Sequence, residues 1–203
     1  TEIEGLLLVK PDVYYDERGY FFENYNEKRF REAGITDVFV QDNQSFSKKA
    51  VIRGLHFQCP PYAQSKLVRV IKGRVLDVAV DIRKGSPTFG QHVAVELTEE
   101  NHRQFFVPRG FAHGFAVLSD VAVFQYKCDN FYAPQADAGI QLRDEELGID
   151  WRIPTAEAIL SDDGVIIVTT DTVYGIAIRR DSKKAQKKVY NIKRRNLNKK
   201  LPI

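Results

Sequence analysis

The sequence predicts an all-β protein, an antiparallel jelly roll followed by a short α/β extension at its C-terminal end. Three observations predict it. Short runs with a side-chain period of two recur from Phe39 onward, as half-buried strands require. Turns rich in Gly and Pro separate them: Lys72-Gly73, Lys84-Gly85-Ser86-Pro87, Pro108-Arg109-Gly110 and Ser119-Asp120. The charge then changes sign, since residues 161–203 hold 11 Lys and Arg against 4 Asp, a net of +7, which leaves −4 for residues 1–160. A junction near Ser161 follows, with a β-rich domain over 1–161 and a basic extension over 162–203.

Taken in order, Gly5 to Asp12 reads as a strand, Asp16-Glu17-Arg18-Gly19 as a turn, and Tyr20-Phe21-Phe22 as a second, aromatic strand. Asn26 to Ala33 is the one short helix of the N-terminal half, closed by Gly34. Strands are expected at 38–46, 50–58, 66–71, 74–82, 91–97, 104–107, 114–118 and 121–132. The Cys59-Pro60-Pro61 turn reverses the chain, so the strands 50–58 and 66–71 are expected side by side. Period two puts Ile52, Gly54, His56 and Gln58 on one face and Arg53 on the other, unless a bulge at Gly54 re-aims it. The run Gly73 to Asp81 alternates like a half-buried strand, with Asp77 and Asp81 at its rim or paired with Arg69 and Arg83. Tyr126 and Tyr132 lie an even number of residues apart and share a face of the strand 121–132.

Composition narrows the functional class. Apolar residues make up 43% of the 203, enough for a core, but the apolar runs are short and interrupted, and neither a membrane span nor a signal segment is visible. With only Cys59 and Cys128, read as a reduced pair, this favours the cytoplasm.

The chemistry concentrates between Val51 and Arg69. Arg53, His56 and Lys66 are three ionisable side chains on strands that should otherwise fill a core, and burying them without a task is costly. An imidazole, a guanidinium and an ammonium at one mouth suit an anionic substrate. A histidine with an ordinary pKa near about 6.5 accepts a proton at neutral pH, and a tyrosine hydroxyl such as that of Tyr126 or Tyr132 can donate one opposite it. The Pro-x-Gly-x-x-His turn at Pro108–His113 places a histidine at the start of a strand, as in the small barrels called cupins, where it is one of several metal ligands. A metal needs three or four converging ligands. Here the place two residues after His56 is Gln58, so neither a metal nor a cofactor is expected. His92 and His102 read as surface or rim residues.

Five runs then converge on one resemblance. R-G-L-H-F-Q (53–58) with Q-x-K-L-V-R-V (64–70), V-D-I-R-x-x-S-P-T-F-G (80–90), P-R-G-F-A-H-G-F (108–115), Y-K-C-D-N-F-Y (126–132) and L-G-I-D-W (147–151) resemble the dTDP-4-dehydrorhamnose 3,5-epimerase family. The resemblance covers about residues 1–161. It implies a cupin-type jelly roll working as a metal-free homodimer on a dTDP-sugar. By resemblance His56 is the base, Lys66 steadies the enolate oxygen and Tyr126 is the acid. Arg18, Phe21 and Glu23 match the family's D-x-R-G-x-F-x-E run, which reaches the nucleotide in part from the neighbouring subunit. Gln41, Asp42 and Asn43 match its Q-D-N, and together with Arg53, Gln58, Lys66 and His113 they surround the sugar and diphosphate. Tyr132 matches the residue that stacks on thymine, and Asp137 stands where the family has Glu. The family's later carboxylate, which pairs with the catalytic histidine, falls on Asp162 or Asp163, of which Asp163 is preferred.

The tail departs from that pattern. G-V-I-I-V-T-T-D-T-V-Y-G (164–175) and the later basic run resemble the start of the YrdC/Sua5 family, which makes threonylcarbamoyl-AMP, with Thr169 in place of a proline. About 40 residues of a much longer domain are present, so a second enzyme is not expected. Lys183, Lys184, Lys187 and Lys188 would stripe a solvated helix, and no nucleic-acid partner is expected. The readings in play are the 3,5-epimerase, a one-carbon epimerase or ketoisomerase of the same fold, and a non-catalytic cupin that binds a nucleotide-sugar.

Overall fold

The computed structural model describes residues 1–142, 144–153, 165–169, 174–178, 183, 184 and 187. Its chain divides into two compact units, Thr1–Arg152 and Ile153–Ile203. The junction expected near Ser161 lies outside the described residues.

The first unit is an antiparallel two-sheet jelly roll. Its twelve strands are β1 Leu7–Val9, β2 Tyr14–Asp16, β3 Gly19–Phe21, β4 Gln41–Lys48, β5 Ile52–Gln58, β6 Lys66–Lys72, β7 Arg74–Asp81, β8 His92–Thr98, β9 Gln104–Val107, β10 Phe111–Val117, β11 Val121–Cys128 and β12 Asp137–Gly139. One sheet runs β1-β9-β6-β11-β4 and the other β12-β5-β10-β7-β8, while among the described residues β2 and β3 pair only with each other, as a hairpin. The faces of the two large sheets turned toward each other bury one apolar cluster. It takes Val68, Val70, Phe105 and Phe124 from the first sheet and Val75, Ala79, Leu97, Phe111 and Phe115 from the second. Burying such side chains is the main favourable term in folding.

The expected helix forms as α1, Glu27–Glu32, with the Asn26 side chain capping the Arg29 amide and Glu27 in the first turn. Its Phe30 packs with Tyr25, Ile35, Leu67 and Phe106 against the outer face of the first sheet. Gly73 makes the tight β6–β7 turn at φ +82°, where an added Cβ would lie 2.1 Å from the Val121 carbonyl oxygen.

Several expectations change. β5 and β6 do not lie side by side: β5 pairs with β10 and β12, and β6 with β9 and β11. The Pro-rich turn therefore carries the chain from one sheet to the other, and the two strands belong to opposite walls of the barrel. β7 is buried on both faces from Val75 to Asp81 rather than half-buried, so its two aspartates are interior and not rim. β10 begins at Phe111, three residues earlier than the turn signal suggested, and β11 ends at Cys128, so Tyr132 lies beyond it. His102 is buried against the rings of Tyr20 and Phe22, with centroids at 4.7 and 5.0 Å.

In the second unit β13, Val165–Thr169, pairs antiparallel with β14, Tyr174–Ile178. Lys183, Lys184 and Lys187 are helical and exposed.

Candidate active site

Strand pairing places the polar residues of the barrel interior in rows. On the first sheet, Lys66, Cys128 and Gln41 stand in one cross-strand row, and Val68, Tyr126 and Asn43 in the next. On the facing sheet, His56 pairs with both His113 and Gly139, Arg53 with Phe115, and Gln58 with Asp137. Paired residues point to the same side of a sheet, so these side chains face the interior.

Arg53 joins His56 there because β5 carries one extra residue. His56 opposes His113 while Arg53 opposes Phe115, three positions against two. The bulge falls at Gly54, whose φ is +129° and whose added Cβ would sit 2.5 Å from Gly114 Cα. The conditional expectation that a bulge would re-aim Arg53 is the one realised. Its Nε then donates to Ser47 Oγ at 2.9 Å, leaving the rest of the guanidinium exposed.

The ionisable groups perturb one another. Burial, then the charges of Lys66, His113 and Arg53, hold the His56 imidazolium down to a pKa of about 3, so the ring is neutral at physiological pH. Lys66 is buried, and burial lowers its pKa although the charges of Cys128, Asp137 and Asp77 act the other way. No carboxylate comes within ion-pair distance of its ammonium among the described residues, and its Nζ lies 5.8 Å from the centre of the Tyr126 ring. Burial raises the Tyr126 hydroxyl above its ordinary value, keeping it protonated. Burial also pushes the Cys128 thiol up to about 11. One interior therefore holds a neutral imidazole, a buried lysine amine and a protonated phenol.

His113 Nε2 lies 2.8 Å from Asp77 Oδ1, both groups being buried, and the two histidine rings stand edge-on at 6.4 Å. Asp77 thus pairs with His113 and not with Arg69; Arg69 instead contacts Asn24 and the Phe22 ring. Asp81 does pair with Arg83, at 2.7 Å, and also accepts from Ser86 and Thr88.

The remaining predicted residues divide. Asn43 donates to Cys128 Sγ at 3.8 Å, and Gln41 bridges Asn43 and the Tyr132 amide. Asp42, expected beside them at the sugar, points the other way: strand alternation sends it to the outer face, paired with Lys127 at 2.9 Å. Gln58 is buried and its amide is used by backbone, donating to the Tyr62 and Phe131 carbonyls and accepting from the Ala133 amide at 2.7 Å. It braces the loop that presents Tyr132, rather than facing a ligand freely. Tyr132 is exposed in that loop, and it does not share a strand face with Tyr126. Asp137 is exposed opposite Gln58.

Arg18 and Phe21 sit on the β2–β3 hairpin, outside the barrel. Arg18 is exposed and paired with Asp16, and Phe21 is 71% exposed. Glu23 accepts from Asn26 at 3.0 Å, the main cause that holds its carboxyl below the usual range, and from Arg29 at 3.1 Å, which adds to it. Asp163 lies outside the described residues. Among the described residues no group of three His, Cys, Asp or Glu comes together that could hold a metal ion. Sequence reading missed Asp77; the available signal was a lone carboxylate in the middle of the otherwise apolar run Val75 to Val80.

Fold and site together define a cupin-type jelly roll with acid–base groups inside its barrel. The sequence profile described as dTDP-4-dehydrorhamnose 3,5-epimerase matches residues 1–170. A Shigella flexneri dTDP-4-dehydrorhamnose 3,5-epimerase is 54% identical over 166 residues, covering 81% of this chain and 91% of the relative. The crystal structure of the enzyme of that name from Elizabethkingia anophelis superposes with a TM-score of 0.75 at 53% identity, over 78% of this chain and 87% of that one. A Legionella pneumophila dTDP-6-deoxy-D-glucose-3,5-epimerase, solved in complex with dTDP-4-keto-L-rhamnose, matches with a TM-score of 0.74 at 54% identity, over 76% and 82%. This chain belongs to the dTDP-4-dehydrorhamnose 3,5-epimerase family, a family of isomerases. A second profile, described as telomere recombination, matches residues 158–203.

Proposed function

We propose that this protein epimerises C3 and C5 of dTDP-4-dehydro-6-deoxy-D-glucose, giving dTDP-4-dehydro-L-rhamnose, without a metal. The ketone at C4 acidifies the protons on both neighbouring carbons. Neutral His56 takes one of them, and the electron pair left behind moves onto the C4 oxygen as an enolate. Lys66 supplies the cation for that oxygen; its buried side chain, with no carboxylate at ion-pair distance among the described residues, is the single observation that carries the reading. Tyr126 returns a proton to the carbon from the opposite face, and its raised pKa keeps it loaded. Both groups then exchange protons with water before the second carbon reacts.

The nucleotide end of the site fits the same substrate. The Arg53 guanidinium suits a diphosphate through paired hydrogen bonds, and exposed Tyr132 offers a ring to stack on thymine. The β2–β3 hairpin, carrying Arg18 and Phe21, reaches a second copy of the chain in a homodimer. The Legionella relative's complex, named for the product of this reaction, supports the assignment.

Proton exchange tests it. Incubated with dTDP-4-dehydro-6-deoxy-D-glucose in D₂O, the protein introduces deuterium at C3 and at C5, read by NMR. Label at one carbon only would make it a single-carbon epimerase, and no label would leave a binding protein. His56→Ala abolishes exchange while dTDP affinity, measured by calorimetry, stays within about threefold; retained exchange would remove His56 from the mechanism.

A further inference from the structure

We infer that Asp77 is a positioning residue for this reaction: it holds the His113 ring in one orientation with its proton on Nε2, so that Nδ1 is left to accept a hydrogen bond from a sugar hydroxyl. The inference rests on the function proposed above and assigns a part to a residue outside the family motifs quoted earlier.

The carboxylate is out of place for a structural role. Asp77 has no exposed surface and stands on the core face of β7, opposite Phe115 and in line with Val75 and Ala79. Oδ1 meets His113 Nε2 at 2.8 Å, while Oδ2 is buried with no hydrogen-bond partner among the described residues. An apolar side chain would fill that position at less cost, because a buried carboxylate is tolerated only with its hydrogen bonds satisfied. Asp81, four residues on, shows the contrast: it is equally buried, but both its oxygens are saturated by Arg83, Ser86 and Thr88, as a structural anchor requires.

Two further observations point the carboxylate toward the chemistry. A carboxylate facing an imidazole nitrogen accepts from N–H, which fixes the tautomer and the ring angle. His113 makes no other side-chain hydrogen bond among the described residues, so Nδ1 is its remaining polar atom. His113 in turn opposes His56 across β10 and β5, with ring centroids 6.4 Å apart. A hydroxyl held at Nδ1 therefore sets how the sugar ring lies over the base. The Asp77 charge also reaches Lys66, offsetting part of the cost of keeping that ammonium buried. Loss of Asp77 then acts on the reacting sugar and leaves the nucleotide end alone.

The test uses the full chain, with dTDP and dTDP-4-dehydro-6-deoxy-D-glucose as probes. Asp77→Asn is expected to slow deuterium incorporation about 100-fold or more, with dTDP affinity within about threefold. His113→Gln is expected to slow it comparably, and the double variant no further than the slower single one, since residues acting as a unit are not additive. Independent, multiplicative losses, or an Asp77→Asn rate within threefold of the parent, overturn the inference. Long-range ¹H–¹⁵N spectra of the unmodified protein keep it falsifiable even if Asp77→Asn fails to fold. They are expected to show His113 protonated at Nε2 only, and a proton on Nδ1 overturns it. If the unmodified protein exchanges no deuterium, the proposed function falls, while the same spectra still judge the contact between Asp77 and His113.

Discussion

At His56 the protonation state follows from its neighbours. An imidazole shut away from water beside Lys66 and Arg53 resists a further positive charge, and burial is the largest of these causes. Its pKa lies near 3 in the folded protein against about 6.5 unfolded. Below pH 6.5 the unfolded chain therefore binds a proton that the folded one refuses. Stability from this group is complete above that pH and declines as pH falls toward 3. For catalysis the consequence runs the other way from a typical histidine enzyme. The acid limb of kcat/KM, which reports the free enzyme, is expected below 6.5, as measured by initial rates across pH. A limb at or above 6.5 would mean that a carboxylate pairs with the ring and restores its basicity. Residue types at this site were legible: His56, Lys66 and Tyr126 stand out as ionisable groups on strands. Their mutual perturbation was not, because desolvation depends on what the chain packs around each one.

At the scale of the element, the bulge in β5 decides the site. Without an extra residue, Arg53 would face away from His56, and the guanidinium would be lost to the interior. Gly54 permits it by adopting φ +129° and by allowing Gly114 to pass close. Gly54→Ala places a Cβ 2.5 Å from Gly114 Cα and 2.7 Å from the His113 carbonyl oxygen. It is expected to destabilise the protein by at least about 2 kcal/mol, read as a lower urea midpoint, and to slow exchange by moving Arg53 and His56 apart. Strand positions were largely readable, since β4 to β9 fall where alternation and Gly/Pro turns put them. Sheet membership was not. Alternation fixes which face a residue occupies but not which strand lies next to it, so β5 and β6 were paired wrongly and both proved to be opposite walls. Asp42 fails for the converse reason: alternation alone would have sent it away from Gln41 and Asn43, and a motif read as three adjacent letters concealed that.

For the whole molecule, the β2–β3 hairpin stands apart from both sheets and exposes Tyr14, Tyr15, Tyr20 and Phe21 at 66, 69, 59 and 71%. We propose that this exposed aromatic patch is where a second copy of the chain docks. Sedimentation is expected to show a species of twice the chain mass. The double variant Tyr15→Ser and Phe21→Ser is expected to shift it toward monomer; an unshifted dimer would place the interface elsewhere. By itself the sequence determined the fold class, the strand and turn rhythm, the short capped helix and the identity of the polar groups, since period, turn chemistry and residue type are local properties. Only the tertiary structure decided that Lys66 is buried without a carboxylate among the described residues, that Arg53 turns inward, that Gln58 braces the Tyr132 loop, and that Asp77 meets His113. Each of those depends on contacts between strands far apart in the chain, and so on how the two sheets close over one core.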